Sequence, residues 1–236
     1  MTPRHALVTG GTRGIGHAFA RALCAEGYHV TVTGLTQEEV DACDTVPGMS
    51  ARVLDVTSDE SVSEIYRGME RLDALINCAG IVLRNGAEFA IDGFRKVLEV
   101  NLSGTMRMCL GAKALLARGG GCIVNTASML SFQGGPGVPA YTASKGGVAQ
   151  LTKSLAGAWA ADGIRVNAIA PGWIATDLTR ALVEDEARSN AILSRTPMGR
   201  WGVPDDLRGA IVFLCSPQSA FMTGVILPVD GGYLAM

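Results

Sequence analysis

Short apolar runs bounded by turn-forming residues recur along the chain, at Ala6–Thr9, Val30–Thr33, Arg52–Leu54, Ala74–Asn77, Cys122–Thr126, Val166–Ala170 and Val225–Val229. Runs without polar alternation predict strands buried on both faces of a parallel sheet. Between them the apolar positions fall three or four apart: Ile15, Phe19 and Leu23, then Val62, Ile65, Met69 and Leu72, then Phe94, Val97 and Leu98. That spacing predicts amphipathic helices. Punctuation agrees, because Ser58 precedes an acidic first turn and Gly27 follows the last apolar position of the first helix. Strand and helix in alternation imply βαβ units with right-handed crossovers. The expected fold is therefore α/β: one doubly wound, seven-stranded parallel sheet with helices on both faces, occupying residues 1–236 as a single domain. Residues 34–50 include Pro47-Gly48, so the crossover after the second strand is short.

The rhythm breaks once. Residues 176–200 follow Pro171-Gly172 and gather Asp177, Arg180, Glu184, Asp185, Glu186, Arg188 and Arg195. Ligands of such sheets bind beyond the carboxyl ends of the strands, so an insertion there reads as a substrate lid. The alternative is a solvated pair of surface helices.

Composition narrows the partners. The 236 residues are 48% hydrophobic with a net charge of −2, which gives no basic footprint for nucleic acid and no charged tail for a membrane surface. The six cysteines, Cys24, Cys43, Cys78, Cys109, Cys122 and Cys215, form no Cys-x-x-Cys pair and sit mostly in apolar runs, as reduced core thiols do. The uncharged stretch 119–144 is too rich in Gly, Pro, Ser and Gln to cross a bilayer. A cytoplasmic protein acting on a small molecule is expected.

Thr9-Gly10-Gly11-Thr12-Arg13-Gly14-Ile15-Gly16 lies between an apolar strand and an amphipathic helix. That placement suits a dinucleotide pyrophosphate, which needs a tight turn, close backbone approach and a helix N-terminus with free N–H groups. The second strand ends Val32-Thr33-Gly34-Leu35-Thr36 without a carboxylate for the adenosine ribose, whereas Arg13 offers a planar fork to a 2′-phosphate. NADP(H) is accordingly preferred over NAD(H), the alternative being that Arg13 packs on adenine or faces solvent. Asp55 is placed either to meet the adenine amino group or to cap Thr57 or Ser58.

Tyr141 and Lys145 share a helix face if their segment is helical. A phenol of pKa about 10 is a poor acid or base near neutrality, and an ammonium beside it is expected to favour the phenolate. The glycine motif, Asn77-Cys78-Ala79-Gly80, Asn101, Ser128, Tyr141-x-x-x-Lys145 and Pro171-Gly172 occur in the order and spacing of the short-chain dehydrogenase/reductase family, which the whole chain resembles. The resemblance implies a Rossmann fold, a homotetramer or dimer, and a tetrad of Asn101, Ser128, Tyr141 and Lys145. In it Tyr141 exchanges a proton with the substrate oxygen, Ser128 orients that oxygen, Lys145 also meets the nicotinamide ribose, and Asn101 interrupts its helix and holds a relay water. To the Gly10, Arg13, Gly14, Ile15, Gly16 and Asp55 candidates read above, the resemblance adds Asn77, Ala79, Gly80, Tyr141, Lys145, Pro171, Gly172, Ile174 and Thr176 as residues expected to meet the cofactor. Cys78 departs from the family, which usually has a second Asn there; a thiol is a weaker donor, so packing has to hold that loop.

The stretches Ser128-Met129-Leu130-Ser131-Phe132-Gln133-Gly134-Gly135, Val138-Pro139-Ala140-Tyr141 and Gly199-Arg200-Trp201-Gly202 resemble family members acting on sugar acids, the gluconate 5-dehydrogenases and 2-dehydro-3-deoxy-gluconate 5-dehydrogenases. A sugar-acid carboxylate needs a cation, for which Arg84, Arg180 and Arg195 are candidates. A polyol fits the same lining. The chain also resembles 3-oxoacyl carrier-protein reductases, but Trp159-Ala160-Ala161-Asp162 lacks the basic residues an acidic carrier protein would be drawn to. A non-catalytic NADP(H)-sensing regulator is the alternative of another class, and such proteins typically lose part of the tetrad that this chain keeps.

Overall fold

The computed structural model describes residues 3–236. Strands β1 (Arg4–Thr9), β2 (Tyr28–Gly34), β3 (Met49–Val53), β4 (Ala74–Asn77), β5 (Cys122–Thr126), β6 (Arg165–Pro171) and β7 (Ile226–Val229) form one parallel sheet in the order β3-β2-β1-β4-β5-β6-β7. The helices are α1 (Gly14–Ala25), α2 (Gln37–Asp41), α3 (Asp59–Tyr66), α4 (Ile91–Leu98), α5 (Gly104–Ala117), α6 (Pro139–Trp159), α7 (Arg180–Val183), α8 (Glu186–Leu193) and α9 (Arg208–Cys215). The doubly wound Rossmann fold expected from the pattern is the fold observed. Local signals act as anticipated: Ser58 Oγ accepts the Ser61 N–H at 3.2 Å at the start of α3, and Gly27, at φ +79°, ends α1.

Because strand side chains alternate between faces, the sheet carries two cores. Val8, Val32, Ile76 and Val124 pack with Phe19 and Leu23 of α1 and Ile211 and Leu214 of α9. Leu7, Leu75 and Ile123 pack on the opposite face with Ile65 of α3, Met108 and Leu116 of α5, and Leu155 and Trp159 of α6. Each fully buried side chain of this size contributes about 1.5–3 kcal/mol, so the central strands are a rigid base for what their ends carry.

The expectation that all seven strands are buried needs correcting at β3 and β7, whose residues are half-buried or exposed. Both are edge strands with one neighbour, and the short crossover leaves only the five-residue α2 beside β3.

The chain winds from β1 towards one edge and from β4 towards the other, and Thr9 and Asn77 lie side by side in register. Their connections diverge, which opens a crevice at the carboxyl ends. Residues 176–200 stand beyond the end of β6 on a narrow neck: the Ala175 N–H donates to Gly202 O at 2.8 Å and the Gly202 N–H to Trp173 O at 2.9 Å. Inside the excursion are α7 and α8, and the Trp201 indole N–H donates to Ser189 Oγ at 2.8 Å. The C-terminal Tyr233 is buried edge-on to Trp173 beneath the Arg195 guanidinium, while Met236 is exposed. Among the described residues no helix is long and apolar enough to cross a membrane, and no group of His, Cys, Asp and Glu is arranged to hold a metal ion.

Candidate active site

The crevice begins at the glycine turn. A Cβ on Gly16 would lie 2.3 Å from Gly10 O, and one on Gly10 2.9 Å from Ala79 Cα, so both positions exclude side chains by close backbone approach. Arg13 occupies the N-cap of α1 without a side-chain cap bond, and the first turn holds no acid. The leading N–H groups at Gly14, Ile15 and Gly16 therefore offer an anion site suited to a pyrophosphate. Thr176, at the start of the excursion, comes within 4 Å of where a Gly14 side chain would be, so excursion and turn flank one cleft.

The opposite wall is residues 78–80. The Thr9 hydroxyl accepts from the N–H groups of both Cys78 and Ala79 at 3.1 Å. This pair of bonds, supplied from β1, secures the loop at the point where Cys78 departs from the family. The half-buried Cys78 has its thiol pKa pushed up by desolvation, while a hydrogen bond to Thr126 pulls the other way. Two anticipated cofactor residues turn their side chains elsewhere. Asn77 Nδ2 donates to Asn125 Oδ1 at 2.9 Å and to Cys109 Sγ at 3.3 Å, and Asn125 in turn donates to Thr152 Oγ1. Its side chain thus belongs to a buried polar chain beneath the sheet end. Asp55 Oδ1 accepts from Thr57 N–H at 2.8 Å and Thr57 Oγ1 at 2.7 Å, the local capping role. Pro171 and Gly172 close the end of β6, where a Cβ on Gly172 would meet Asp230 Cα at 2.5 Å; Ile174 follows, buried.

Asn101, Ser128, Tyr141 and Lys145 converge across the cleft. Asn101 lies in a π turn, Glu99–Ser103, between α4 and α5, the helix interruption that the resemblance implied. Its Oδ1 accepts the Ile81 N–H at 2.8 Å, and its Nδ2 donates to Ile81 O at 2.9 Å and Ser144 Oγ at 3.0 Å. A Cβ on Gly80 would stand 3.3 Å from Asn101 Oδ1 and 3.7 Å from Lys145 Nζ, so glycine leaves room for these groups to meet. Lys145 Nζ donates to Thr126 O at 2.6 Å and lies 5.6 Å from the centre of the Tyr141 ring. Ser128, just past β5, is set by a turn in which Ser131 Oγ accepts its N–H and donates to Lys145 O at 2.7 Å.

One electrostatic expectation fails. The Tyr141 phenol is not lowered but pushed up to about 12, chiefly by burial, with a hydrogen bond from Ser128 and the charge of Arg84 acting downwards. Burial also brings Lys145 down to about 8. Both charged forms lose hydration in the same pocket, and for the phenol that loss outweighs the downward pull of Ser128 and Arg84, although Lys145 stays mostly protonated near neutrality.

Two carboxylates escaped the sequence reading. Glu88 is almost wholly buried; its Oε1 accepts the Leu83 N–H and its Oε2 the Tyr141 N–H, each at 2.9 Å, so it caps the first turn of α6. No local pattern announces a contact between residues 88 and 141. Glu39 reaches back from α2 to the end of β2, where its Oε2 accepts the Leu35 N–H at 2.8 Å and its Oε1 meets Arg13 at 2.9 Å. Here a signal existed, because Thr36 caps α2 through the Glu39 N–H at 3.3 Å in a Thr-x-x-Glu pattern.

A seven-stranded doubly wound sheet, an uncapped glycine turn and a Ser–Tyr–Lys–Asn cluster at the switch point define a nicotinamide-dependent dehydrogenase, and the chain belongs to the short-chain dehydrogenase/reductase family. Residues 10–234 match the family profile described as enoyl-(acyl carrier protein) reductase. The chain is 44% identical to the 2-dehydro-3-deoxy-D-gluconate 5-dehydrogenase of Bacillus subtilis over 98% of its length and 94% of that protein's. It is 37% identical to a 3-oxoacyl-[acyl-carrier-protein] reductase of Rickettsia bellii, over 99% and 98% of the two chains. The solved gluconate 5-dehydrogenase from Burkholderia cenocepacia, in complex with NADP and tartrate, superposes with a TM-score of 0.91 at 36% identity, covering 99% of this chain and 96% of that one. The protein is an NAD(P)-dependent oxidoreductase that interconverts a secondary alcohol and a ketone.

Proposed function

We propose that the substrate is a sugar acid, whose secondary hydroxyl is oxidised or whose ketone is reduced beside Tyr141. The observation that carries this reading is Arg84. Of the three candidate cations, Arg180 pairs with Asp177 and Arg195 stacks on the Tyr233 ring at 4.6 Å. Arg84 has no carboxylate partner among the described residues, donates to Leu178 O of the excursion at 2.8 Å, and exerts its charge on the Tyr141 phenol. An unpaired guanidinium at the mouth of an alcohol–ketone site suits a substrate that carries a carboxylate a few carbons from its reacting carbon. The sugar-acid relatives support the same choice.

In this reading the bound nicotinamide supplies or accepts the hydride at its C4. Tyr141 gives its proton to the substrate oxygen in reduction and takes it back in oxidation. Ser128 donates a second hydrogen bond to that oxygen and fixes the carbonyl plane. Lys145 holds a positive charge close to the phenol and contacts the ribose, and Asn101, locked to Ile81 and Ser144, keeps open a relay from Lys145 to solvent. Residues 176–200 serve as the lid, joined to the cleft wall through Arg84. The six free thiols suit a reducing cytoplasm. Exposed Leu110 and Phe221 provide apolar surface for a homotetramer or dimer.

Turnover of sugar acids, matching neutral polyols and acetoacetyl thioesters, followed at the nicotinamide absorbance, tests the assignment. Arg84→Met is expected to raise KM for the acids at least tenfold and leave neutral polyols within twofold; equal effects on both reject the carboxylate role. Tyr141→Phe is expected to keep cofactor affinity and lose roughly 10²–10⁴-fold in kcat; a residual activity above a tenth rejects its role as acid and base.

A further inference from the structure

The preference for NADP(H) rested on Arg13 and on a β2 end without a carboxylate, and Glu39 overturns the second premise. Gly34 ends β2, and a Cβ there would lie 2.9 Å from Glu39 Cβ, so the bare strand end lets Glu39 fold down over it. The Leu35 N–H then holds one carboxylate oxygen, and the Thr36 cap fixes the turn of helix from which Glu39 projects. The second oxygen meets Arg13, whose side chain is 67% exposed against 27% for Glu39. Arg13 is thus the more exposed member of the pair and Glu39 the one held by a backbone N–H. An exposed ion pair is weak and readily exchanged, whereas a carboxylate held by a backbone N–H stays where it is.

We propose that Glu39 is a specificity-determining residue: it neutralises Arg13 and sets a fixed negative charge beside the adenosine ribose, so that a 2′-phosphate is disfavoured and a 2′-hydroxyl accepted. The inference rests on NAD(P) use by this fold but not on the identity of the substrate. Two groups of opposite preference share one place. Arg13 would pair with a 2′-phosphate, while Glu39 would accept a hydrogen bond from a 2′-hydroxyl, as the acidic residue of a dinucleotide fold does. To use Arg13, a phosphate of about −1.5 to −2 charge must take it from Glu39 and then sit against an uncompensated carboxylate. A ribose hydroxyl does neither. Glutamine at this position keeps an oxygen for the Leu35 N–H and removes only the charge.

Binding to the unmutated and variant proteins by calorimetry, with adenosine 2′,5′-bisphosphate against adenosine 5′-monophosphate and with NADPH against NADH, reads the effect without turnover. Glu39→Gln is expected to tighten the 2′-phosphorylated ligand of each pair at least tenfold relative to its partner. Arg13→Ala in the Glu39→Gln background should abolish most of that gain, because the freed guanidinium is what the phosphate binds. A ratio that moves less than threefold in Glu39→Gln, or an equal change for both ligands of a pair, overturns the proposal. So does a gain that survives the loss of Arg13. If the substrate reading is wrong but this one is right, the sugar-acid panel fails while the binding ratios still shift.

Discussion

Asn101 is buried beside the half-buried Ile81 and makes three hydrogen bonds, one accepted from the Ile81 N–H and two donated, to Ile81 O and Ser144 Oγ. Asn101→Ala removes all three at once and leaves each partner short of its bond. An unsatisfied buried polar group costs about 1–3 kcal/mol, and partial access of water to the cleft wall keeps each near the low end, so the sum is about 3–5 kcal/mol. With a urea m-value of about 3 kcal/mol per molar, the midpoint falls by about 1–1.7 M. Urea titrations at matched subunit concentration measure this, since association would otherwise shift the midpoint. Tyr141→Phe is the control: its hydroxyl is hydrogen-bonded to Ser128, with no second partner among the described residues, and the midpoint is expected to move by less than about 0.5 M. If Asn101→Ala moves the midpoint no further than the control does, the bonds to Ile81 and Ser144 are not what secures the π turn, and a purely proton-relaying Asn101 is the better account.

Gly16→Ala places a methyl against Gly10 O, and neither backbone can yield; cofactor affinity is expected to fall at least tenfold in a fluorescence titration, and a change under threefold would show that the turn is more plastic than its geometry indicates. Glu88→Gln removes a negative charge that raises the Tyr141 pKa, so the pH profile of alcohol oxidation is expected to move towards lower pH; an unmoved or alkaline-shifted profile contradicts this. Arg200 holds the Asp206 carboxyl down at about 2, against an ordinary value of 3.8. A depressed carboxyl stabilises the fold above its unfolded pKa, so this contribution is complete above about pH 4 and fades as pH falls towards 2. Arg200→Met is expected to weaken that acid limb in thermal melts at low salt, with little difference in high salt, because the pair is partly exposed.

The central strands were legible because β1, β4, β5 and β6 are buried on both faces and so read as unbroken apolar runs. β3 and β7 were found in place but misjudged in burial, since a strand's position in the sheet is not written in its own residues. The Tyr141–Lys145 pairing was legible through spacing, because the two lie one helical turn apart and that local geometry survives folding, whereas Asn101 and Ser128 were placed beside it only by the family resemblance. The phenol's acidity was not, because it depends on how completely α6 and residues 78–80 exclude water, a property of the assembled cleft. Glu88 and Asn77 show the same limit, as their partners come from distant parts of the chain. Glu39 had a local signal in the Thr36-x-x-Glu39 spacing, but its return to the end of β2 depends on the bare Gly34 and the Leu35 N–H that receive it.

The neck formed by Trp173–Ala175 and Gly202 means that residues 176–200 leave and rejoin the main body at adjoining points. An excursion closed in this way can be lengthened, shortened or exchanged without disturbing the register of β6 and β7, because the entropy of closing it is met at the neck whatever lies beyond. With residues 176–200 as the lid proposed above, selection can rework recognition as a cassette, leaving Asn101, Ser128, Tyr141 and Lys145 outside the exchanged segment.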